Sequence, residues 1–139
     1  MTIAERESEL IDEFSFYEDW MEKYEHIIEL GKSLPLISEE HKKDENIIKG
    51  CQSTVWLHAD LQDGKVIFTA DADAIIAKGI IAMLVQVLSG NSPQNIIDAK
   101  LDFIKELGLQ EHLSPTRSNG LVSMVKQMKM YALGFNMKA

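Results

Sequence analysis

Residues 73–88 read DAIIAKGIIAMLVQVL, and this stretch is apolar on nearly every face of a helix. After its first residue the only polar side chains are Lys78 and Gln86, whose spacing puts them on one side. A helix of this composition has to be covered by other elements around most of its circumference. We therefore predict a buried central helix, capped by Asp71 or Asp73, in a segment that is too short to cross a bilayer.

The residues before this helix alternate between apolar and polar, which is typical of β-strands. Strands are predicted over residues 53–60 and 65–70, and Asp63-Gly64 between them is a strong hairpin turn signal. A third, shorter strand is expected at Ile47-Ile48. The sequence thus predicts an α+β fold, in which a small antiparallel sheet of about three strands packs with several helices.

Further helices are expected on both sides of this centre, where capping signals precede apolar residues at helical spacing. Their predicted starts are the capping boxes Thr2-x-x-Glu5 and Ser15-x-x-Glu18, the pair Ser92-Pro93, Leu101, and the beginning of an apolar stripe that runs from Leu121 to Ala132. Gly31 and Gly108 are expected to end two of these helices. All the elements fit one domain over residues 1–139.

The charge of the chain is unevenly distributed. The net charge is −8, and residues 1–49 carry all of it, with fourteen acids against six Lys or Arg, whereas residues 50–139 are neutral. Binding to nucleic acid is not expected, because contacts with phosphates need a dense basic surface. The acidic third is expected to be a solvated face or a docking surface. No signal peptide is seen and one cysteine cannot form an internal disulfide, so we expect a cytoplasmic protein.

The only cysteine, Cys51, lies in the sequence KGCQS at residues 49–53. A lone cysteine is most often a buried and inert residue. This one, however, follows Gly50, precedes the polar Gln52, and lies where a loop runs into a predicted strand, which is a common position for reactive groups. A reactive thiol needs a cation or backbone donors to favour its thiolate, and Arg117 and Lys78 are the candidate cations.

Other chemical motifs are few. The sequence contains no CxxC or HxxxH pair and no phosphate-binding glycine loop, so we expect neither a metal nor a nucleotide cofactor. The four histidines are scattered. The cluster Asp71-Ala72-Asp73 can be a helix cap, and residues 113–121, LSPTRSNGL, can be a turn that leads into the last helix. Arg117 within that segment is a good partner for an anion or a carboxylate.

Several ordered motifs together resemble one family. GCQSTVWL at 50–57, ADADAIIAKGIIAML at 70–84, LGLQEHLSPTRSNGL at 107–121 and WMEKYEHIIELGKSLP at 20–35 look like the SufE/CsdE-type cysteine-desulfuration proteins. The resemblance covers about residues 14–133. It implies a fold similar to that of the IscU scaffold, which agrees with the α+β prediction.

The resemblance also implies a function. A cysteine desulfurase that uses pyridoxal phosphate would hold sulfur as a persulfide, and Cys51 would accept that sulfur, stimulate the desulfurase and pass the sulfur to a SUF-type scaffold for iron–sulfur assembly. The protein itself would need no cofactor. Gln52, Asp71, Asp73 and Arg117 are expected to hold or tune the Cys51 loop, which would rest against apolar surface and swing out on the partner. Nearby carboxylates are expected to raise the pKa of the thiol.

Three alternatives belong to other classes. An IscU-like scaffold would need about three cysteines or equivalent ligands, and this chain has one. A cysteine hydrolase would need a base beside the thiol; in one extended strand the offset from Cys51 to His58 puts the two side chains on opposite faces, whereas His26, His41 or His112 could still meet the thiol in the folded chain. An interaction module with an inert cysteine is the third alternative. Monomer and homodimer both remain open.

Overall fold

A computed structural model describes residues 1–138, so Ala139, the last residue of the predicted domain, lies outside the described residues. The chain forms an α+β structure in which helices pack around and beside one β-hairpin. The helices and strands are α1 (Ile3–Phe14), α2 (Trp20–Gly31), β1 (Val55–Gln62), β2 (Lys65–Ala72), α3 (Ile75–Leu88), α4 (Pro93–Asp98), α5 (Phe103–Glu106), α6 (Leu109–His112) and α7 (Pro115–Lys138), with short 3-10 turns at Glu39–His41 and Asp44–Asn46. None of these helices is both long and apolar enough to cross a membrane.

The hairpin is confirmed at the predicted turn. Strands β1 and β2 pair antiparallel, and Asp63 and Gly64 both have positive φ, at 52° and 77°, as a type I′ turn requires. At the start of β1 the inward side chains of Val55, Leu57 and Ala59 are buried and the outward ones are half-buried, whereas the last three residues of the strand are exposed. The strand begins at Val55, because the residues that precede it belong to the loop that carries Cys51.

The prediction of about three strands is wrong, since the described sheet has two. Ile47 forms one isolated bridge with Trp56, so the chain touches the sheet edge without continuing along it. The 3-10 turn Asp44–Asn46 precedes this contact, and Gly50 turns the chain away shortly after it with φ 94°. Two turns so close together leave no room for a strand.

Helix α3 is buried nearly all round, as its composition predicts. It packs against α1, α2, α7 and β2. The predicted cap is wrong, however, because the N-cap residue is Ala74 and no side chain caps the helix. Asp71 lies within β2, and the carboxylate of Asp73 instead accepts a hydrogen bond from the backbone N–H of Thr54.

The two N-terminal helices follow their capping signals unequally. The capping box of Thr2 and Glu5 is present at the start of α1. The second predicted box is not formed, because Ser15 is the residue that ends α1. Helix α2 begins after Asp19, whose carboxylate accepts from the N–H of Glu22 at 2.9 Å, and it ends at Gly31 as expected.

The C-terminal half differs from the prediction mainly in helix lengths. Ser92 caps α4, with Pro93 in its first turn. The helix predicted from Leu101 to Leu107 is reduced to α5, and Gly108 follows it with φ 74°. The last helix starts earlier than its apolar stripe indicates, at Pro115, and therefore places Arg117 in its first turn.

Candidate functional site

Cys51 lies on a short closed loop at the edge of the hairpin. The N–H of Ile48 donates to the carbonyl oxygen of Val55 at 2.8 Å, so residues 49–54 leave and rejoin the structure at one point. Gly50 has the positive φ that lets the chain reverse there. A Cβ at this position would lie 2.4 Å from the Ser123 Oγ, which means that the loop packs tightly against α7.

The thiol of Cys51 is half-buried and packs against the hydrophobic core. Its Sγ lies 3.6 Å from the carbonyl oxygen of Gly120, at a distance where the S–H can donate a hydrogen bond. Burial raises the pKa of the thiol above its ordinary value. The predicted cause of this shift, nearby carboxylates, is wrong, because the loss of water around the sulfur is what disfavours the thiolate.

A surface cleft of about 430 Å³ opens beside the thiol. Its walls come from the Cys51 loop, the start of α3 and the start of α7. The lining residues are Cys51, Gln52, Ser53, Ala74, Ile75, Ile76, Ala77, Ile80, Ser114, Thr116, Arg117, Gly120 and Met124. Cys51 and Arg117, which are far apart in the sequence, therefore face one shared space.

The four predicted supporting residues occupy three different places. Gln52 and Arg117 are exposed and line the cleft. Asp73 does not line it but holds one end of the loop, because its carboxylate accepts from the Thr54 N–H at 3.0 Å and its own N–H donates to the Thr54 carbonyl at 3.0 Å. The structure brings Asp73 to the loop and Arg117 to the cleft.

Asp71 lies outside this arrangement and binds two lysines. Its carboxylate is 3.0 Å from Lys42 Nζ and 3.4 Å from Lys78 Nζ. Burial alone would raise the pKa of Asp71, but the hydrogen bonds from Lys42 and from the Ala72 N–H outweigh it and lower the pKa. Lys78, the other candidate cation for the thiol, is therefore paired with Asp71, and it does not line the cleft.

The four histidines are all engaged away from Cys51. His26 lies 3.0 Å from Glu13 Oε2, His41 stacks on His58 with centroids 3.7 Å apart, and His112 stacks on Trp20. None of them lines the cleft described above. Within residues 1–138, no group of three or more His, Cys, Asp or Glu side chains is placed to hold a metal ion.

Sequence reasoning missed the residues on which the loop rests. Gly120 and Ser123 both belong to α7. The carbonyl oxygen of Gly120 contacts the Cys51 thiol, and Ser123 packs against Gly50. Gly120 lies in the segment 113–121 that also contains Arg117, so the motif in that segment points to the right part of the chain. Ser123 gave none, because a serine on a helix has no pattern that reveals a tight contact with a distant glycine.

The raised pKa of Cys51 makes a direct prediction for alkylation. In the folded protein the thiolate fraction at neutral pH is smaller than in the unfolded chain, and the thiolate is the species that reacts. The rate of labelling by iodoacetamide is therefore expected to rise with an inflection at higher pH than for the same protein in urea. An inflection below that of the unfolded chain would instead indicate a paired cation or base at the sulfur.

Fold and site together define a class of protein. It is a small α+β protein with one half-buried thiol on a surface loop, facing a cleft that also contains a cation. The model of the SufE family, described as an Fe-S metabolism associated domain, matches residues 8–132. The chain belongs to the SufE family and is thereby associated with iron–sulfur metabolism.

Similar proteins agree with this placement. An uncharacterized SufE-like protein of Rhizobium meliloti is 42% identical over 132 residues, covering 91% of this chain and 94% of that protein. An uncharacterized SufE-like protein of Synechocystis is 37% identical over 136 residues, covering 98% of this chain and 86% of that protein. The solution structure of a hypothetical protein from Thermus thermophilus shares the fold, with a TM-score of 0.77 at 20% identity over 93% of this chain and 94% of that one.

Proposed function

We propose that this protein accepts sulfur from the persulfide of a cysteine desulfurase onto Cys51, stimulates that desulfurase, and passes the sulfur to a SUF-type scaffold. The observation that carries the proposal is the position of Cys51, which is the only thiol of a SufE-family chain and lies on a closed loop beside an open cleft. The desulfurase would supply the pyridoxal phosphate chemistry, and this chain would supply the thiol.

The transfer is a thiol exchange whose atoms and electrons balance. The Cys51 thiolate attacks the outer sulfur of the partner's persulfide, a new S–S bond forms on Cys51, and the partner's cysteine leaves as its thiolate. One cysteine is sufficient for this step. A second cysteine nearby would attack the new persulfide, release sulfide and leave a disulfide, and this chain contains no second cysteine.

The resting position of the loop fits a carrier that has to be released by its partner. The half-buried thiol, its contact with Gly120 and its raised pKa would all keep Cys51 quiet in the free protein. The contacts that hold the loop include the two hydrogen bonds between Asp73 and Thr54 and the packing of Gly50 on Ser123. Docking of the desulfurase would break these contacts and turn the thiol outwards.

We propose that the desulfurase docks on the loop and the adjoining start of α3. This surface includes the exposed carboxylate of Asp73 and the side chain of Ile75, which is 65% exposed although it begins a strongly apolar helix. In this proposal Ile75 would supply apolar contact area to the partner beside the loop. Hydrogen exchange of the loop amides should change when the desulfurase is added, because the resting contacts break and the partner covers the loop, and unchanged exchange would contradict release of the loop.

The direct test is intact mass spectrometry without reductant, after incubation with a SUF-type cysteine desulfurase and cysteine. We expect a gain of one sulfur atom on Cys51 that dithiothreitol reverses. A desulfurase whose own turnover has been verified, but which adds no sulfur to this protein, would contradict the proposal. The matched control is the same protein blocked at Cys51 with iodoacetamide, which should gain no sulfur because its thiol is no longer available.

Substitution of Gly50 is predicted to displace the loop. Alanine there would be strained by the positive φ, and its Cβ would meet the Ser123 Oγ at 2.4 Å. We expect Gly50→Ala to expose Cys51 and to raise its rate of labelling by iodoacetamide at neutral pH about threefold to tenfold, which is the order of change that loss of about 1 kcal/mol of local packing produces.

A second glycine provides the control for this prediction. Gly64 has φ 77° and no atom within 4 Å of its would-be Cβ, so Gly64→Ala carries the backbone strain without the clash. Both variants should lose stability, but only Gly50→Ala should label faster. Equal labelling rates in the two variants would show that the contact of Gly50 with Ser123 does not hold the loop.

A further inference from the structure

The cleft beside Cys51 has a charge pattern that the transfer of sulfur between two proteins does not require. Among the described residues that line it, Arg117 is the only charged one, and the carboxylates of Asp71 and Asp73 lie outside it. Among the described residues Arg117 is exposed and has no carboxylate within ion-pair distance. The cleft therefore presents a cation without a carboxylate partner in the space that it shares with the thiol.

The remaining lining divides into a polar rim and an apolar wall. Ser114 and Thr116 line the cleft together with Arg117, on the segment that begins α7, and the Ser114 hydroxyl accepts from the Arg117 backbone N–H at 3.3 Å. Ile76 and Ile80 of α3, together with Met124, supply the apolar wall. A cavity of about 430 Å³ is within the range of small-molecule sites, which are mostly apolar with a few placed polar groups.

We propose that this cleft binds a small thiol that carries a carboxylate, and that such a thiol is a second acceptor for the sulfur held on Cys51. The Arg117 guanidinium pairs with the carboxylate, for which its planar fork is suited. The short carbon chain of the ligand lies along the apolar wall, and its sulfur approaches Cys51. Free cysteine has this chemistry, as do small thiol peptides.

The chemical step balances without any further reactant. The thiolate of the ligand attacks the outer sulfur of the Cys51 persulfide, and a new S–S bond forms on the ligand. The bond between that outer sulfur and Cys51 Sγ breaks, its electron pair stays on Cys51, and Cys51 takes up the proton that the ligand thiol released. The products are a small-molecule persulfide and the original Cys51 thiol.

Sulfur transfer to the ligand rests on the proposed function, but binding of the carboxylate can be tested without it. Iodoacetate and iodoacetamide alkylate the same thiolate and differ in that iodoacetate carries a carboxylate. The ratio of their rates at Cys51 cancels any change in the pKa of the thiol, because both reagents react with the same thiolate. We expect Arg117→Gln to lower the iodoacetate to iodoacetamide ratio about fivefold, and Arg117→Lys to keep part of it.

A matched control is available on the same helix. Lys126→Gln removes the same charge, but Lys126 faces a different surface, lined by Glu45 and Tyr131. We expect the rate ratio in Lys126→Gln to equal that of the wild-type protein. A ratio that falls equally in both variants would show that only the general field of the protein acts, and a ratio unchanged in Arg117→Gln would show that no carboxylate binds; either result overturns the proposal.

The second experiment measures the transfer itself. Cys51 is loaded by a cysteine desulfurase, freed of cysteine, and mixed with 3-mercaptopropionate or 2-mercaptoethanol, which differ chiefly in the carboxylate. The ratio of their discharge rates is compared between wild type and Arg117→Gln, so that intrinsic reactivities cancel. We expect that ratio to fall about fivefold in the variant, with the added sulfur recovered on the small thiol.

The outcomes separate this inference from the proposed function. If Cys51 never acquires sulfur, the proposed function fails, while the alkylation ratio still tests whether the cleft binds a carboxylate. If Cys51 is loaded but 3-mercaptopropionate gains no advantage that depends on Arg117, the inference alone is overturned. A mixed disulfide between Cys51 and the small thiol, with release of sulfide, would also overturn it, because the attack would then be on the inner sulfur.

Discussion

Replacement of Cys51 by Ser is expected to abolish sulfur acceptance and stimulation of the desulfurase while leaving the fold intact. The hydroxyl can still donate to the Gly120 carbonyl, so the loop should keep its resting place. Because the site is half-buried, we expect a change in the free energy of unfolding of about 1 kcal/mol or less. An alcohol cannot replace the thiolate in attack on a persulfide, so the rate should fall to that of the desulfurase alone.

The same variant separates docking from chemistry. If the loop and the start of α3 form the docking surface, Cys51→Ser should still bind the desulfurase and compete with the wild-type protein. Turnover of the desulfurase is measured at a fixed amount of wild-type protein, and it should decline as the variant is added. Thermal unfolding should show that the variant is folded. Full stimulation by Cys51→Ser would refute the carrier role and leave an interaction module with an inert cysteine.

The parts of the fold that local patterns determine were predictable from the sequence. The hairpin follows from alternation on both sides of Asp63-Gly64, whose turn type depends on two residues only. The buried α3 follows from composition, because a helix that is apolar all round has to be enclosed. The family motifs agree with both elements.

The wrong predictions concern residues that can take either of two structural roles, where contacts with residues distant in sequence determine which role is taken. Asp73 is a residue type that often caps helices, yet its carboxylate accepts a hydrogen bond from the Thr54 N–H at the open end of the hairpin. Ile47 has a strand-forming side chain, yet the turns on either side of it limit the pairing to one bridge. Which role such a residue takes depends on which backbone groups need a hydrogen-bond partner in the folded chain, and a short stretch of sequence does not contain that information.

The place of Cys51 on a surface loop was predictable from the sequence, but the electrostatic surroundings of its thiol were not. The neighbours of Cys51 in sequence indicated a displayed thiol, and Arg117 was already a candidate cation. The packing of α3 and α7 beside the loop places Cys51 and Arg117 in one cleft, and it pairs Lys78 with Asp71. The pKa of the thiol is raised by burial, which depends on the whole surrounding surface and has no signature at any one residue.

Substitution of Gly79 by Ala is expected to have the largest effect on stability. Helices α2 and α3 approach each other backbone to backbone at this point, and a Cβ on residue 79 would lie 2.1 Å from the carbonyl oxygen of Ile27. Relief of that contact requires the helices to separate, since the obstructing atom is part of the backbone and cannot rotate away. We expect a loss of about 3 kcal/mol in the free energy of unfolding, or a fall in Tm of roughly 10 °C.

Substitutions at two other glycines, where a Cβ would meet less obstruction, provide the comparison for this prediction. A Cβ on Gly31 would lie 3.1 Å from the Gly79 nitrogen, which is tight but short of a collision, whereas Gly134 in α7 has no atom within 4 Å. Gly31→Ala should therefore cost less than Gly79→Ala, and Gly134→Ala should be neutral or stabilising, because alanine favours a helix by up to about 1 kcal/mol over glycine. Denaturant unfolding of the three variants checks this order. If Gly79→Ala proved as stable as Gly134→Ala, α2 and α3 could not be in backbone contact, and the packing that places the start of α3 beside Cys51 would have to be different.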